Sequence, residues 1–288
     1  MPHIKIVLNN NRNYIHVLGL HVLLLVSASL TGCQEEGCTD PEAINYNQDA
    51  DKSCGGCCEY PDNATVEVKM SHNIDGQPLE LNKMQFANPF GREYEVTKLR
   101  YYVSDFRFHR DDGTVYDADM YQLINLEEDK TMTFTIPKVP SDDYTKVSFY
   151  FGLDEEKNQD NALPDEETVM PWPEPLGDGY HFMQQEGFYK DSSGSKIAFN
   201  THMGKKKVND STFENNHITI NLANSDISVD DKTWTMDIAM NINEWYTNPN
   251  DYDFPDFGQG IMGNGQAQQT LHENGANAFT LTNKSEAN

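Results

Sequence analysis

Three histidines have the side chains and neighbours from which a metal site could be built. His72, His181 and His202 each lie in or beside a segment of alternating apolar residues, next to aromatic or sulfur-containing side chains. Imidazole and thioether groups are ligand types that suit copper in either oxidation state. Three methionines lie close in sequence to His181 and His202, namely Met170, Met183 and Met203. The same histidines also fit an ordinary alternative, in which a histidine in a strand is a hydrogen-bonded packing residue.

The segments that must position these histidines have the period-two pattern of half-buried strands. Apolar and polar residues alternate in the runs 64–70, 132–136, 147–151, 218–222 and 234–242. Turn signals such as Asp111-Asp112-Gly113 and Asn248-Pro249 separate the runs. The pattern predicts an all-β domain, an antiparallel β-sandwich or barrel, with little helix.

Two local departures from this pattern carry predictions of their own. The parity of the apolar positions slips at Ser104-Asp105, which predicts a β-bulge. The segment "QAQQTLHENG", residues 266 to 275, predicts one short C-terminal helix. Its last residue, Gly275, is expected to be a left-handed C-cap.

The N-terminal residues have the layout of an exported lipoprotein. Lys5 and Arg12 precede an apolar run, which ends in Leu30-Thr31-Gly32-Cys33. The apolar run is about 14 residues long, too short to span a bilayer. We therefore predict a signal peptide at residues 1–32 and a lipid anchor on Cys33. The expected location is the outer membrane, on its periplasmic or its external face.

The only cysteines after Cys33 fall within 21 residues, at Cys38, Cys54, Cys57 and Cys58. In an oxidising compartment this spacing predicts a small module held by two disulfides. Adjacent Cys57 and Cys58 are not expected to pair with each other, so each should bond Cys38 or Cys54. The predicted organisation is a signal peptide (1–32), a cysteine-rich tether segment (33–62) and a β domain (63–288).

The cysteine-rich segment also contains alternating oxygen-bearing side chains: Asn45, Asn47, Asp49 and Asp51. Such spacing could present several oxygens to one Ca²⁺ ion. The alternative is a solvated turn whose side chains cap their own backbone. The sequence leaves both interpretations open.

Charge and motif content exclude several functional classes. Loss of residues 1–32 removes Lys5 and Arg12 but no acid, so the formal net charge falls from −25 to about −27. Such a chain has little with which to neutralise phosphates, and we predict no nucleic-acid partner. The sequence contains no G-x-S-x-G elbow, and no free cysteine lies beside a partner histidine. We expect a protein that is not an enzyme.

Several ordered motifs carry a resemblance to a known family. They are "KLRYYVSDFRF" at 98–108, Phe151-Gly152-Leu153-Asp154, Met170-Pro171-Trp172, Gly179-Tyr180, Glu186-Gly187 and His202-Met203-Gly204. An opening strand adds the pattern H-x-x-x-G from His72 to Gly76. In these motifs the chain from about Ala64 to Phe279 resembles the MbnP-like family of exported copper-binding proteins.

The resemblance implies a β-rich body that binds copper through histidines. It makes His202, within H-x-G, the first candidate ligand, His181 the second and His72 or a nearby methionine the third. It also implies that Trp172 could be oxidised to kynurenine by a di-haem, peroxidase-like partner. Many members carry a second tryptophan two residues later, where this chain has Glu174.

Two other classes of function stay open on sequence alone. The matched segments could be determinants of the fold in a surface interaction or adhesion module without a functional metal site. A carbohydrate-active enzyme would need two carboxylates facing one cleft, which a chain with 46 acidic residues can neither show nor exclude.

Overall fold

The computed structural model describes residues 35–41, 43–60, 62–163 and 170–287, which fall into two compact units divided after Tyr60. The predicted signal peptide and Cys33 lie outside the described residues. Within the described ranges, no helix is long and apolar enough to cross a membrane.

The N-terminal unit is small and held by disulfides. Its two short strands, β1 (Glu36–Gly37) and β2 (Lys52–Ser53), pair in parallel. Disulfides join Cys38 to Cys58 and Cys54 to Cys57. The prediction of two disulfides, with neither joining Cys57 to Cys58, is confirmed.

The second unit is built mainly of strands. They are β3 (Asn63–Ile74), β4 (Gln77–Pro78), β5 (Phe86–Ala87), β6 (Glu93–His109), β7 (Val115–Asp117), β8 (Tyr121–Asn125), β9 (Thr133–Pro140), β10 (Asp142–Tyr144), β11 (Lys146–Phe151), β12 (Met183–Lys190), β13 (Lys196–Met203), β14 (Lys206–Asn209), β15 (Thr212–Glu214), β16 (Ile218–Asn221), β17 (Ile227–Val229), β18 (Thr233–Asn241) and β19 (Phe279–Glu286). The described helices are α1 (Gly265–Gly275) and short 3-10 turns at Asp129–Met132, Glu174–Leu176, Ile242–Tyr246 and Ile261–Gly263.

Two sheets pack face to face, as predicted for a β-sandwich. The larger, eight-stranded sheet has the order β13-β12-β6-β11-β16, with β5, β7 and β8 also paired to β6. The five-stranded sheet has the order β19-β18-β3-β4, with β9 also paired to β3. Phe279 of the smaller sheet contacts Phe149 and Tyr101 of the larger one, with ring centroids 5.3 and 6.2 Å apart. Burial of these inner faces forms the core.

One pair departs from the predicted antiparallel pattern, because β3 and β18 run parallel. A long stretch of chain separates these strands, so no hairpin dictates their direction. Period-two alternation is the same in parallel and antiparallel strands, and so the pattern could not reveal this pairing.

The two local predictions have different outcomes. The bulge in β6 is confirmed, since the register against β11 shifts next to Ser104 and Asp105 has a φ of 51°. The helix is also confirmed, but the left-handed cap at Gly275 is wrong. Gly275 is the last helical residue and the C-cap is Ala276, with a φ of −59°. Glycine is needed there because a Cβ would collide with the Trp245 ring.

Candidate metal centre

Pairing of β12 with β13 brings together the two histidines that sequence analysis placed first. His181 lies two residues before the start of β12, and His202 is the penultimate residue of β13, opposite Gln184. The backbone N–H of Phe182 donates to the carbonyl of Met203, which aligns the two segments (2.7 Å). The imidazole rings consequently lie edge to face, with centroids 5.1 Å apart.

His181 has one ring nitrogen that lacks a hydrogen-bond partner. Its Nδ1 lies 3.3 Å from the carbonyl oxygen of Met170, to which an Nδ1–H donates. The lone pair is then on Nε2, a buried atom for which the described residues provide no partner. An unsatisfied buried polar atom costs on the order of 1–3 kcal/mol, so this nitrogen is suited to a ligand.

Burial also keeps His181 neutral. Loss of solvation, helped by the neighbouring His202, lowers the pKa of His181 to about 4. At neutral pH the ring is therefore unprotonated and its lone pair is free to bind a metal ion.

His202 is held by a carboxylate on the adjacent strand. Its Nε2 lies 3.3 Å from Glu186 Oε1, and the same oxygen accepts a hydrogen bond from Lys98 Nζ at 3.0 Å. Burial lowers the pKa of His202, although Glu186 opposes the shift. Burial would raise the pKa of Glu186, but Lys98 and His202 bring it below its ordinary value. An ionised Glu186 that accepts a hydrogen bond from Nε2–H leaves the lone pair of His202 on Nδ1.

Trp172 closes one side of the histidine pair. Its indole lies 4.8 Å from the His181 ring, measured between centroids, and is 3% exposed. The indole N–H donates to the carbonyl of Leu176 (2.9 Å), which fixes the orientation of the ring. The indole also covers Gly204, where a Cβ would lie 2.6 Å from Trp172 Cδ2. The glycine of the H-x-G motif therefore makes room for the tryptophan of the M-x-W motif.

A loop that contains the buried Asn158 supports the backbone next to His181, and sequence reasoning did not identify it. Asn158 Oδ1 accepts the N–H of Tyr180 at 2.8 Å, and Asp160 Oδ1 accepts the N–H of Gly179 at 3.0 Å. Gly179 has a φ of 88°, which suits glycine. A lone Asn or Asp in a loop has no sequence signature, so only the nearby F-G-x-D motif marked this region.

His72 does not join the pair. Its Nε2 lies 2.8 Å from the hydroxyl of Tyr101 in the core between the sheets. Arg100, the residue before Tyr101 on β6, donates to Gln184, which lies on the same face of the sheet as His202. Since successive residues of a strand point to opposite faces, Tyr101 and His72 lie on the other face of the sheet.

The candidate thioether ligands are likewise directed elsewhere. Met183 and Met203 pair across β12 and β13 and are fully buried. Met183 precedes Gln184 and Met203 follows His202, both of which face outward, so the two sulfur atoms face the core. Met170 contributes its backbone carbonyl to His181.

Two of the four calcium candidates, Asn45 and Asn47, accept hydrogen bonds from backbone N–H groups. Asn47 Oδ1 accepts the N–H of Asp49, and Asn45 Oδ1 accepts the N–H of Glu59, each at 2.9 Å. These contacts match the solvated-turn interpretation. Throughout the ranges that the structure describes, no group of three or more His, Cys, Asp or Glu side chains is arranged to hold a metal ion. The centre is thus a two-imidazole site with an indole beside it.

Comparison with known proteins identifies the family. A search of curated proteins finds no match. Among solved structures, MbnP from Methylosinus trichosporium aligns with a TM-score of 0.44 and 16% identity, over 65% of this chain and 78% of that chain. The family model described as MbnP matches residues 63–263, which include the histidine pair and Trp172. The chain therefore belongs to the MbnP family.

Proposed function

We propose that this protein is a lipid-anchored, extracytoplasmic copper-binding protein, with His181 and His202 as its imidazole ligands. The observation that carries the proposal is the buried, unpartnered Nε2 of His181, with the second imidazole 5.1 Å away between centroids. A metal ion would satisfy this nitrogen.

The chemistry of the donor set fits copper. Two neutral imidazoles are available at neutral pH because burial lowers the pKa of both rings. Imidazole suits copper, zinc, iron and nickel, and among the divalent first-row ions affinity peaks at copper. The known role of exported MbnP-like proteins in copper binding makes copper the preferred cargo.

The second part of the proposal is that a di-haem, peroxidase-like partner oxidises Trp172. A cavity of about 270 Å³ adjoins the tryptophan and is lined by the carboxylates of Asp160, Glu174 and Asp178, among other groups. Negative charge at this position attracts cations. Intact mass followed by peptide mass mapping of the protein purified from its native host would report any oxygen added to Trp172.

A competition titration with a copper chelator tests the ligand assignment. We expect His202→Ala and His181→Ala to weaken copper binding by about 10²-fold, because alanine supplies no nitrogen. His109→Ala and His217→Ala serve as matched controls, because these rings contact Ser148 and Asn215 instead. The titration is done at about pH 7.5, above the ordinary imidazole pKa.

Equal losses in the ligand and control variants would contradict the assignment of the site. A folded wild-type protein that takes up no copper would contradict copper binding itself. That result would favour the interaction or adhesion module.

A further inference from the structure

We infer that Gln268, on helix α1, is a positioning residue for the ligand His202; this inference rests on the proposed function. The Gln268 side chain is fully buried. Its Nε2 donates to the carbonyl of His202 at 2.8 Å and to that of Ile261 at 3.3 Å. Its Oε1 accepts the N–H of Gly204 at 3.3 Å. The amide thus binds the backbone on both sides of Met203.

These two contacts take the place of a strand neighbour, which β13 lacks on this side among the residues that the structure describes. β13 is an edge strand of the eight-stranded sheet. In an extended chain the carbonyl of one residue and the N–H of the second residue after it point in the same direction. The primary amide of Gln268 presents one donor and one acceptor to this pair, as the backbone of another strand would. The backbone hydrogen-bonding groups on this edge are therefore satisfied next to His202, so the end of β13 is held against fraying.

The helix that carries Gln268 is itself firmly placed. Asn264 Oδ1 caps its N-terminus by accepting the N–H groups of Gln266 and Ala267, each at 3.1 Å. Ala267 and Leu271 are fully buried. At Gly265 a Cβ would collide with the carbonyl of Lys207, so the helix lies directly against the chain beyond β13. A fixed helix lets Gln268 position His202 before the metal arrives.

The contact acts on the ligand geometry, because His202 and Gly204 both border the centre. His202 supplies the imidazole, and the backbone of Gly204 supports the Trp172 indole. Loss of an outer-shell partner of a metal ligand commonly lowers metal affinity 10- to 100-fold. Gln268 lies beyond residues 63–263, the part of the chain that the family model matches.

The test compares Gln268→Met with Gln269→Met. Both variants make the same chemical change on neighbouring residues of one helix, but Gln269 instead binds Lys206 and Glu273. Copper affinity is measured by chelator competition in the wild-type and His202→Ala backgrounds. We expect Gln268→Met to weaken binding about tenfold in the wild-type background and to have no further effect in the His202→Ala background. Gln269→Met should leave affinity unchanged in both.

Equal affinities of Gln268→Met and Gln269→Met would overturn the inference. So would an equal loss in both backgrounds, because a general structural defect does not depend on His202. If Gln268→Met does not fold, Gln268→Asn replaces it, since its amide is one methylene shorter and cannot reach both the His202 carbonyl and the Gly204 N–H. An unchanged affinity of Gln268→Asn would likewise overturn the inference.

Amide hydrogen exchange of Gly204 in the copper-free protein tests the contact separately from copper binding. Faster exchange in Gln268→Met than in Gln269→Met supports the contact between Gln268 and the backbone, and equal exchange overturns it. If exchange responds but His181→Ala and His202→Ala do not alter copper affinity, the proposed function fails while the backbone contact stands. The two failures are thus distinguishable.

Discussion

Single hydrogen bonds decide which nitrogen of each histidine can bind a metal. The carbonyl of Met170 accepts a hydrogen bond from Nδ1–H of His181, and Glu186 accepts one from Nε2–H of His202. The unprotonated nitrogen is consequently Nε2 in His181 and Nδ1 in His202. Because this assignment depends on outer groups, loss of such a group should weaken binding although both ligands are retained.

Glu186→Leu tests this dependence. We expect about a tenfold loss of copper affinity, because the Nε2 proton of His202 loses its acceptor and the ammonium of Lys98 loses its counter-ion beside the site. Glu93→Leu is the matched control, because Glu93 pairs with Lys190 elsewhere on the sheet. Chelator competition measures both variants, and indistinguishable affinities would show that Glu186 does not hold His202.

His72 has a different role at the residue scale, as a buried neutral group that makes the fold sensitive to acid. Burial lowers its pKa from 6.5 to about 3. Between these values the unfolded chain binds a proton that the folded chain does not, so stability falls as pH decreases from 6.5 towards 3. The effect is at most about 5 kcal/mol.

We therefore expect His72→Gln to lose less stability than the wild type between pH 7 and pH 4 (about the range in which an ordinary histidine becomes protonated). Glutamine does not titrate and can still bond the Tyr101 hydroxyl. Urea denaturation at a series of pH values measures the free energy of unfolding of both proteins. Parallel pH profiles would show that protonation of His72 makes no contribution.

At the scale of elements, the site is formed where the end of β13 meets the loop that carries Trp172. The indole lies on the backbone of Gly204, and the backbone N–H of Trp172 donates to the carbonyl of Gly179 at 2.7 Å. The close approach of a ring to a strand end requires a residue without a side chain. The glycine of H-x-G thus serves packing, two residues after the proposed ligand His202.

Gly204→Ala tests this packing. The added Cβ would overlap the Trp172 ring, and we expect a loss of about 1–3 kcal/mol in the free energy of unfolding. Gly260→Ala is the control, because Gly260 has a φ of −97° and no heavy atom within 4 Å of an added Cβ. Chemical denaturation compares the two, and equal stabilities would contradict the contact between Trp172 and Gly204.

At the scale of the whole molecule, a strongly acidic β-sandwich follows a small disulfide-bonded unit in the chain. Self-repulsion among many carboxylates keeps such a surface solvated and attracts cations. A lipid on Cys33 would hold the protein at a membrane, because this lipid is the one membrane anchor that the sequence predicts.

Cys33→Ala should release the protein from the membrane fraction, because the lipid attached to this thiol is the proposed anchor. Cys58→Ala is the matched control: it breaks the disulfide with Cys38 but leaves the anchor, so it should stay in the membrane fraction. Cell fractionation with immunodetection measures the distribution. Retention of the Cys33→Ala variant in the membrane would contradict the lipid tether.

The sequence by itself determined the class of the fold and the composition of its elements. Alternation of apolar residues predicted the strands, the parity slip predicted the bulge at Ser104 and Asp105, and the clustered cysteines predicted two disulfides. Each of these properties is local, or depends on residue types that have few partners available. The motifs that contain His181 and His202 likewise marked both histidines as candidate metal ligands.

Only the tertiary structure decided which candidates share a site. His72 resembles His181 and His202 in its sequence context, yet its side chain points into the core. Which face of a strand is turned towards the core depends on sheet order and register. Trp172 reaches the pair through a loop, and Gln268 through a helix that follows β13 by many residues. Such contacts join side chains that are distant along the chain and have no periodic pattern, so folding alone brings them together.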